Sequence, residues 1–220
     1  MSISHHLDDA TLMALASGTL DEAFATVALA HVDWCDQCRA ALQKAEAIGG
    51  AALEQLAPEP VDNDALAATL ARLDDADDDA GPVAAAEDTV VDLSAPGPLA
   101  QLLGRPLAEV KWKKLPGGIA TCELPTSAGV KSRLQLLKIG PGRSIPEHGH
   151  RGNELTLILA GSYTDAFGRF GRGDIADVDA TVAHRPVINP GEDCICLVAS
   201  EAPMKFHSLI PKLLQPLMRI

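Results

Sequence analysis

Hydrophobic and polar positions follow two different rhythms along this chain, and the rhythm changes near residue 98. From Asp8 to about Leu56 the apolar positions recur every three to five residues, through Leu12, Leu15, Ala16 and Leu20 and then Phe24, Val27, Ala28 and His31. That spacing lays a stripe along helices. Gly18-Thr19 separates a first helix from a second, and Asp8 and Asp21 stand where helix starts need a side-chain acceptor. A third helix is expected to carry Cys38 to about Ile48 and to stop at Gly49-Gly50. Residues 57 to 64 read as a loop. Ala65 to Leu73 reads as a fourth helix, with Leu66, Leu70 and Leu73 on one side.

Asp74 to Gly97, with Asp77-Asp78-Asp79, Gly81-Pro82 and Pro96-Gly97, is too polar and too broken to build a core and reads as a linker. Past Pro98 the chain turns to short runs of Val, Ile, Leu and Thr bounded by Gly, Pro, Asn and Asp. Strands are expected at Leu134 to Ile139, Leu155 to Leu159, Tyr163 to Phe167, Ile175 to Val178, Val187 to Ile188, Ile195 to Ala199 and Met204 to Phe206. Many short strands with tight turns predict a sandwich or a barrel with closed edges. The fold class expected is multidomain, a small all-α bundle followed by an all-β barrel.

Composition agrees with two packed domains: 220 residues, 47% apolar, 3% aromatic. No run of about 18 apolar residues occurs, and Met1-Ser2-Ile3-Ser4-His5-His6 lacks a basic or apolar leader. A cytoplasmic protein without membrane contact is expected. Five cysteines, an odd number with no secretory signal, argue for metal or redox chemistry over disulfides. Charge sharpens the division. Residues 1 to 97 carry nineteen acids and three bases, whereas residues 98 to 220 carry eleven acids and fifteen bases. The acidic half repels phosphate backbones, which excludes direct nucleic-acid binding there, and attracts a basic partner.

Two constellations carry chemistry. His31, Cys35 and Cys38 are spaced by four and then three residues, so on a helix or across a tight helix junction they project to one side. Structural zinc takes about four N/S ligands, and His6 or His5 must then close the sphere. Such a metal would staple together a bundle too short to bury much apolar area. The plainer readings are two core cysteines beside a helix-end histidine, or a thiol redox pair, although no βαβ pattern surrounds Cys35-Asp36-Gln37-Cys38.

The second runs Gly142-x5-His148-x-His150-x3-Glu154-x6-Gly161, with His184 downstream. On a strand His148 and His150 share a face. Glu154 would lie about 13 Å from His150 if the strand ran straight, so the chain must turn at Arg151-Gly152-Asn153. His184 is expected from a separate strand across the barrel. Three His and one carboxylate fill a tetrahedral zinc, whereas iron or manganese would keep positions open. Cys194 and Cys196 share a strand face about 6.5 to 7 Å apart, too strained for a mutual disulfide. They are either small wall residues or, if exposed near the metal, a redox sensor. Cys122 and His207 have no companion motif.

This second pattern resembles the first cupin motif at every position. The second cupin motif is looser, for Gly173 and His184 are present while Asp179 and Thr181 replace a proline and a glycine and Asn189 falls one place late. His6, His31, Cys35 and Cys38 in an acidic helical domain resemble the zinc-binding anti-sigma domain, and with the cupin the whole chain resembles the ChrR-type anti-sigma factors. The resemblance implies a zinc anti-sigma domain over residues 1–85, an acidic linker over 86–97 and a cupin (double-stranded β-helix) over 98–220. It implies zinc on His6, His31, Cys35 and Cys38, and zinc or another divalent metal on His148, His150, Glu154 and His184. The implied partner is an extracytoplasmic-function sigma factor, held until an oxidant, singlet oxygen or peroxide, or a small molecule acts on the cupin. No catalysis is implied. The alternative is a metal-dependent cupin oxygenase with a helical accessory domain.

Overall fold

The computed structural model describes residues 2–76, 95–149, 151–202 and 205–206. Helices α1 (Asp9–Ala16), α2 (Glu22–Trp34) and α3 (Asp36–Leu53) come first, then α4 (Ala65–Ala76) and α5 (Gly97–Leu103). Asp8 caps α1 by accepting the Thr11 N–H at 2.6 Å, and Asp21 caps α2 by accepting from Ala23 at 3.1 Å. Each satisfies a donor that the first helical turn cannot. Contacts group the described residues of 1–49 with those of 92–220 in one compact unit and those of 50–91 in another.

Among the described residues, three antiparallel sheets make up the β part. The largest has the order β1 (Lys113–Leu115), β2 (Ile119–Glu123), β3 (Arg133–Ile139), β11 (Cys194–Ser200), β5 (Glu154–Ala160), β8 (Ile175–Val178). Two three-stranded sheets complete it. One has β10 (Val187–Ile188), β6 (Ser162–Asp165) and β7 (Gly168–Gly171), and the other β12 (Lys205–Phe206), β4 (His148–Gly149) and β9 (Ala183–His184).

The large sheet is buried on both faces. Leu137, Ile139, Ile158, Cys194, Cys196 and Val198 point into the barrel with Tyr163, Phe170 and Ile188. Their neighbours Leu134, Leu136, Leu155, Leu157, Leu197 and Ala199 point outward, into a core shared with Phe24, Val27 and Ala28 of α2 and Leu99 of α5. This explains why β5 and β11 are nearly continuous apolar runs instead of alternating ones. Polar ties reinforce the seam. Glu22 Oε1 accepts the Ser127 N–H at 3.0 Å, Ser132 donates to Asp21, and Arg172 lies over the Trp34 ring at 4.8 Å.

Several expectations are corrected. Helix α3 begins at Asp36 and runs through Gly49-Gly50 to Leu53, because neither glycine takes a left-handed conformation and good helix formers follow. The strand expected to reach Phe167 ends at Asp165, where Asp165 Oδ1 accepts the Phe167 N–H at 2.8 Å and starts a hairpin into β7. Pro96 and Gly97, expected in the linker, open α5. Met204 and His207 lie outside the described residues.

Candidate metal centres

The first centre forms where two helices meet. His31 lies in the last turn of α2, Cys35 is its extended C-cap residue, and Cys38 lies in the first turn of α3. That break turns a four-plus-three spacing into a cluster. His6 enters from the segment before α1, and the four donor atoms all lie within 4.8 Å of one another. His31 Nε2 is 3.3 Å from Cys38 Sγ, and His6 Nδ1 is 3.3 Å from Cys35 Sγ and 3.7 Å from Cys38 Sγ. Tetrahedral Zn–N and Zn–S bonds give edges of about 3.3 to 3.8 Å, so the set fits that ion.

The protonation states suit it. His31 is wholly buried, which lowers its pKa to about 4 against the raising influence of its bond to Gly173. Its Nδ1–H donates to the Gly173 carbonyl at 2.9 Å, so the neutral ring carries its lone pair on Nε2, facing Cys38. Burial raises the Cys38 thiol to about 11, with the neighbouring Cys35 adding to the shift. A bound cation must therefore displace that proton. His5 turns away, stacking on Phe170 at 3.9 Å between centroids and facing Asp174 at 3.5 Å.

The second centre lies inside the barrel. His148 and His184 are register partners on the adjacent strands β4 and β9, with ring centroids 4.7 Å apart, so His184 comes from the neighbouring strand and not from across the barrel. Glu154 opens β5 after the turn at residues 151–153. All three are buried and line a cavity of about 30 Å³ with Ile145, Tyr163 and Cys196. His150 lies outside the described residues. His148 Nδ1–H donates to the Pro146 carbonyl and His184 Nδ1–H to Asp165 Oδ2, both at 2.9 Å, which leaves Nε2 of each ring as the atom that can ligate a cation. Among the described residues only the first quartet draws three or more His, Cys, Asp or Glu donors to within 4.8 Å. The donor types of the second set nevertheless suit a divalent cation, and the buried Tyr163 hydroxyl, without a hydrogen-bond partner among the described residues, adds a polar atom at the same cavity.

Comparison with known proteins gives these centres a family. Residues 103–203 match the ChrR cupin-like domain. Over its whole length the chain is 44% identical to the anti-sigma-E factor ChrR of Cereibacter sphaeroides, covering all of that protein. The chain belongs to the ChrR family of anti-sigma factors. It is also similar to a chain in the crystal structure of Rhodobacter sphaeroides SigE in complex with the anti-sigma ChrR, with a TM-score of 0.78 and 42% identity over 90% of this chain and 100% of that one.

Within this ChrR-family chain the structure adds roles that spacing did not show. Asp165, its side chain 1% exposed, orients His184. Gly173 and Asp174 meet the N-terminal centre from the turn between β7 and β8. A lone aspartate or a carbonyl has no motif, and only an expected hairpin at residues 165–168 could have pointed to Asp165. Cys194 and Cys196 are both buried with Sγ atoms 3.7 Å apart, and Cys196 lines the cavity. Its bond to Cys194 and its burial push the Cys196 thiol well above the usual range. No helix among the described residues is long and apolar enough to cross a membrane.

Proposed function

We propose that this chain binds an extracytoplasmic-function sigma factor through residues 1–85 and keeps it from RNA polymerase in the cytoplasm. The observation that carries this reading is an apolar stripe left in solvent on α4, where Leu66, Leu70 and Leu73 are 71%, 51% and 62% exposed. Leucines at that spacing on an unpaired helix face suit a partner's groove. The surplus of acids over residues 1–97 selects a basic partner, and a relative crystallised with SigE supports the same assignment. Zinc on His6, His31, Cys35 and Cys38 would hold the three helices that lead into α4.

The barrel acts as the sensor, with zinc or another divalent metal on His148, His150, Glu154 and His184 and an oxidant or small molecule as its signal. The cavity that His148, Glu154 and His184 share, about 30 Å³, has room for an ion and a water. When bound, the metal would supply a fixed positive charge and an electrophilic point inside the barrel. The histidine rings, braced by Pro146 and Asp165, hold its place.

Co-expression of the chain with sigma factors from the same genome, followed by co-purification and metal analysis, tests the reading. A stoichiometric pair containing zinc is expected, and Cys35→Ser or Cys38→Ser should abolish it. Recovery of the chain without any sigma factor would sink the proposal.

A further inference from the structure

The turn between β7 and β8 belongs to the barrel by sequence, yet it faces the N-terminal metal centre. Asp174 there is 4% exposed and collects the segment that delivers His6. Its Oδ1 accepts the backbone N–H of Ser4 at 2.7 Å, the backbone N–H of His5 at 3.0 Å and the Ser4 hydroxyl at 3.2 Å. Its Oδ2 accepts the Gly171 N–H at 2.8 Å, which fixes the carboxylate on its own turn. One residue earlier, the Gly173 carbonyl holds His31. Two adjacent barrel residues therefore orient two of the four donors, one through its backbone and one through the chain beside it.

The turn is not a loose loop. Gly173 N–H donates to the Ile158 carbonyl at 2.8 Å and Ile158 N–H to the Asp174 carbonyl at 3.0 Å, which pins it to β5, the strand that begins with Glu154. The extended residues 2–7 have no helix ladder to fix His6, and the bond between Ser4 Oγ and His5 Nδ1, 3.2 Å, stops short of it. Its position must come from what it lies on.

We propose that Asp174 is a positioning residue for the N-terminal metal centre, holding Ser4 and His5 so that His6 meets Cys35 and Cys38, and that the barrel thereby sets metal affinity at that centre. The inference rests on the reading of His6, His31, Cys35 and Cys38 as metal ligands. Outer partners that orient ligands contribute about 10- to 100-fold to affinity in metal sites generally.

The test uses the full-length chain loaded with cobalt(II), whose thiolate charge-transfer band reports a cysteine-containing centre, in competition with a chelator. Asp174→Ala should weaken binding about 10- to 100-fold and alter the cobalt spectrum, and Asp174→Asn, which keeps one acceptor, should fall between. Asp177→Ala is the control. It removes the acceptor of the Asp8 N–H, 3.2 Å away, beyond His6, and should leave affinity within about twofold. Unchanged affinity and spectrum in both folded Asp174 variants would overturn the proposal, as would an equal loss in Asp177→Ala, which would mark general docking of the segment. A wild-type chain that gives no thiolate band would overturn the metal reading itself, and this proposal with it.

Discussion

Single residues carry the motifs, and the structure says what each one does. Gly142 and Gly161 frame the cupin pattern alike in sequence but serve differently. Both are left-handed, at φ 70° and 69°, yet a Cβ on Gly142 would meet nothing within 4 Å, whereas one on Gly161 would sit 2.5 Å from the Asp193 carbonyl oxygen. Gly142→Ala should therefore cost about 1 kcal/mol, from backbone strain alone, and Gly161→Ala clearly more, measured by urea unfolding. His31 offers a test by pH. In the metal-free protein its pKa is about 4 in the fold, against about 6.5 in an unfolded chain, so the unfolded state takes up the proton first as pH falls. Stability present above about pH 6.5 should decline toward pH 4 by about 3 kcal/mol, and His31→Gln should remove that increment. The donor types and spacings of the candidate centres were legible because metal chemistry restricts them. The braces on His31 and His184, a carbonyl and an aspartate, were not, because any residue has a carbonyl and aspartates are common in turns.

At the scale of elements, periodicity located α1, α2 and α4 and the apolar cores of β3, β5, β8 and β11. It failed where a competing term was weak: the glycine pair in α3 lowers helix propensity without demanding a stop, and two-residue strands such as β4 and β9 are too short to show a period. The leucines of α4 were legible as a stripe, but their exposure was not, since a stripe reads the same whether it faces a core or a partner. Leu66→Asp with Leu70→Asp should leave the thermal midpoint of the free chain within about 2 °C, because both side chains are exposed, while weakening sigma-factor binding at least about tenfold. Calorimetry and a pull-down separate the two effects.

For the whole molecule, the linear reading suggested two bodies, and the large sheet changes that picture. Its outer face is the floor of α2, so the described residues of 1–49 and 92–220 share one hydrophobic core. Differential scanning calorimetry should find α1, α2 and the barrel melting in a single transition, and separate helical and barrel transitions would contradict a shared core. The continuous apolar runs of β5 and β11 already contained this information, since a barrel wall facing water on its outer side would alternate. What no local pattern could supply was the partner of each face, which depends on contacts far apart along the chain.

The bond between His31 and Gly173 spans 142 positions. A ribosome adding about 5 to 20 residues per second needs on the order of ten seconds to make that stretch, and for all of it the finished helices wait without the carbonyl that orients His31 or the carboxylate that gathers Ser4 and His5. The cluster of His6, His31, Cys35 and Cys38 is thus completed among the last events of the chain's own synthesis. A chain cut short during translation would carry all four of those donors without the carbonyl and the carboxylate that meet them from the barrel.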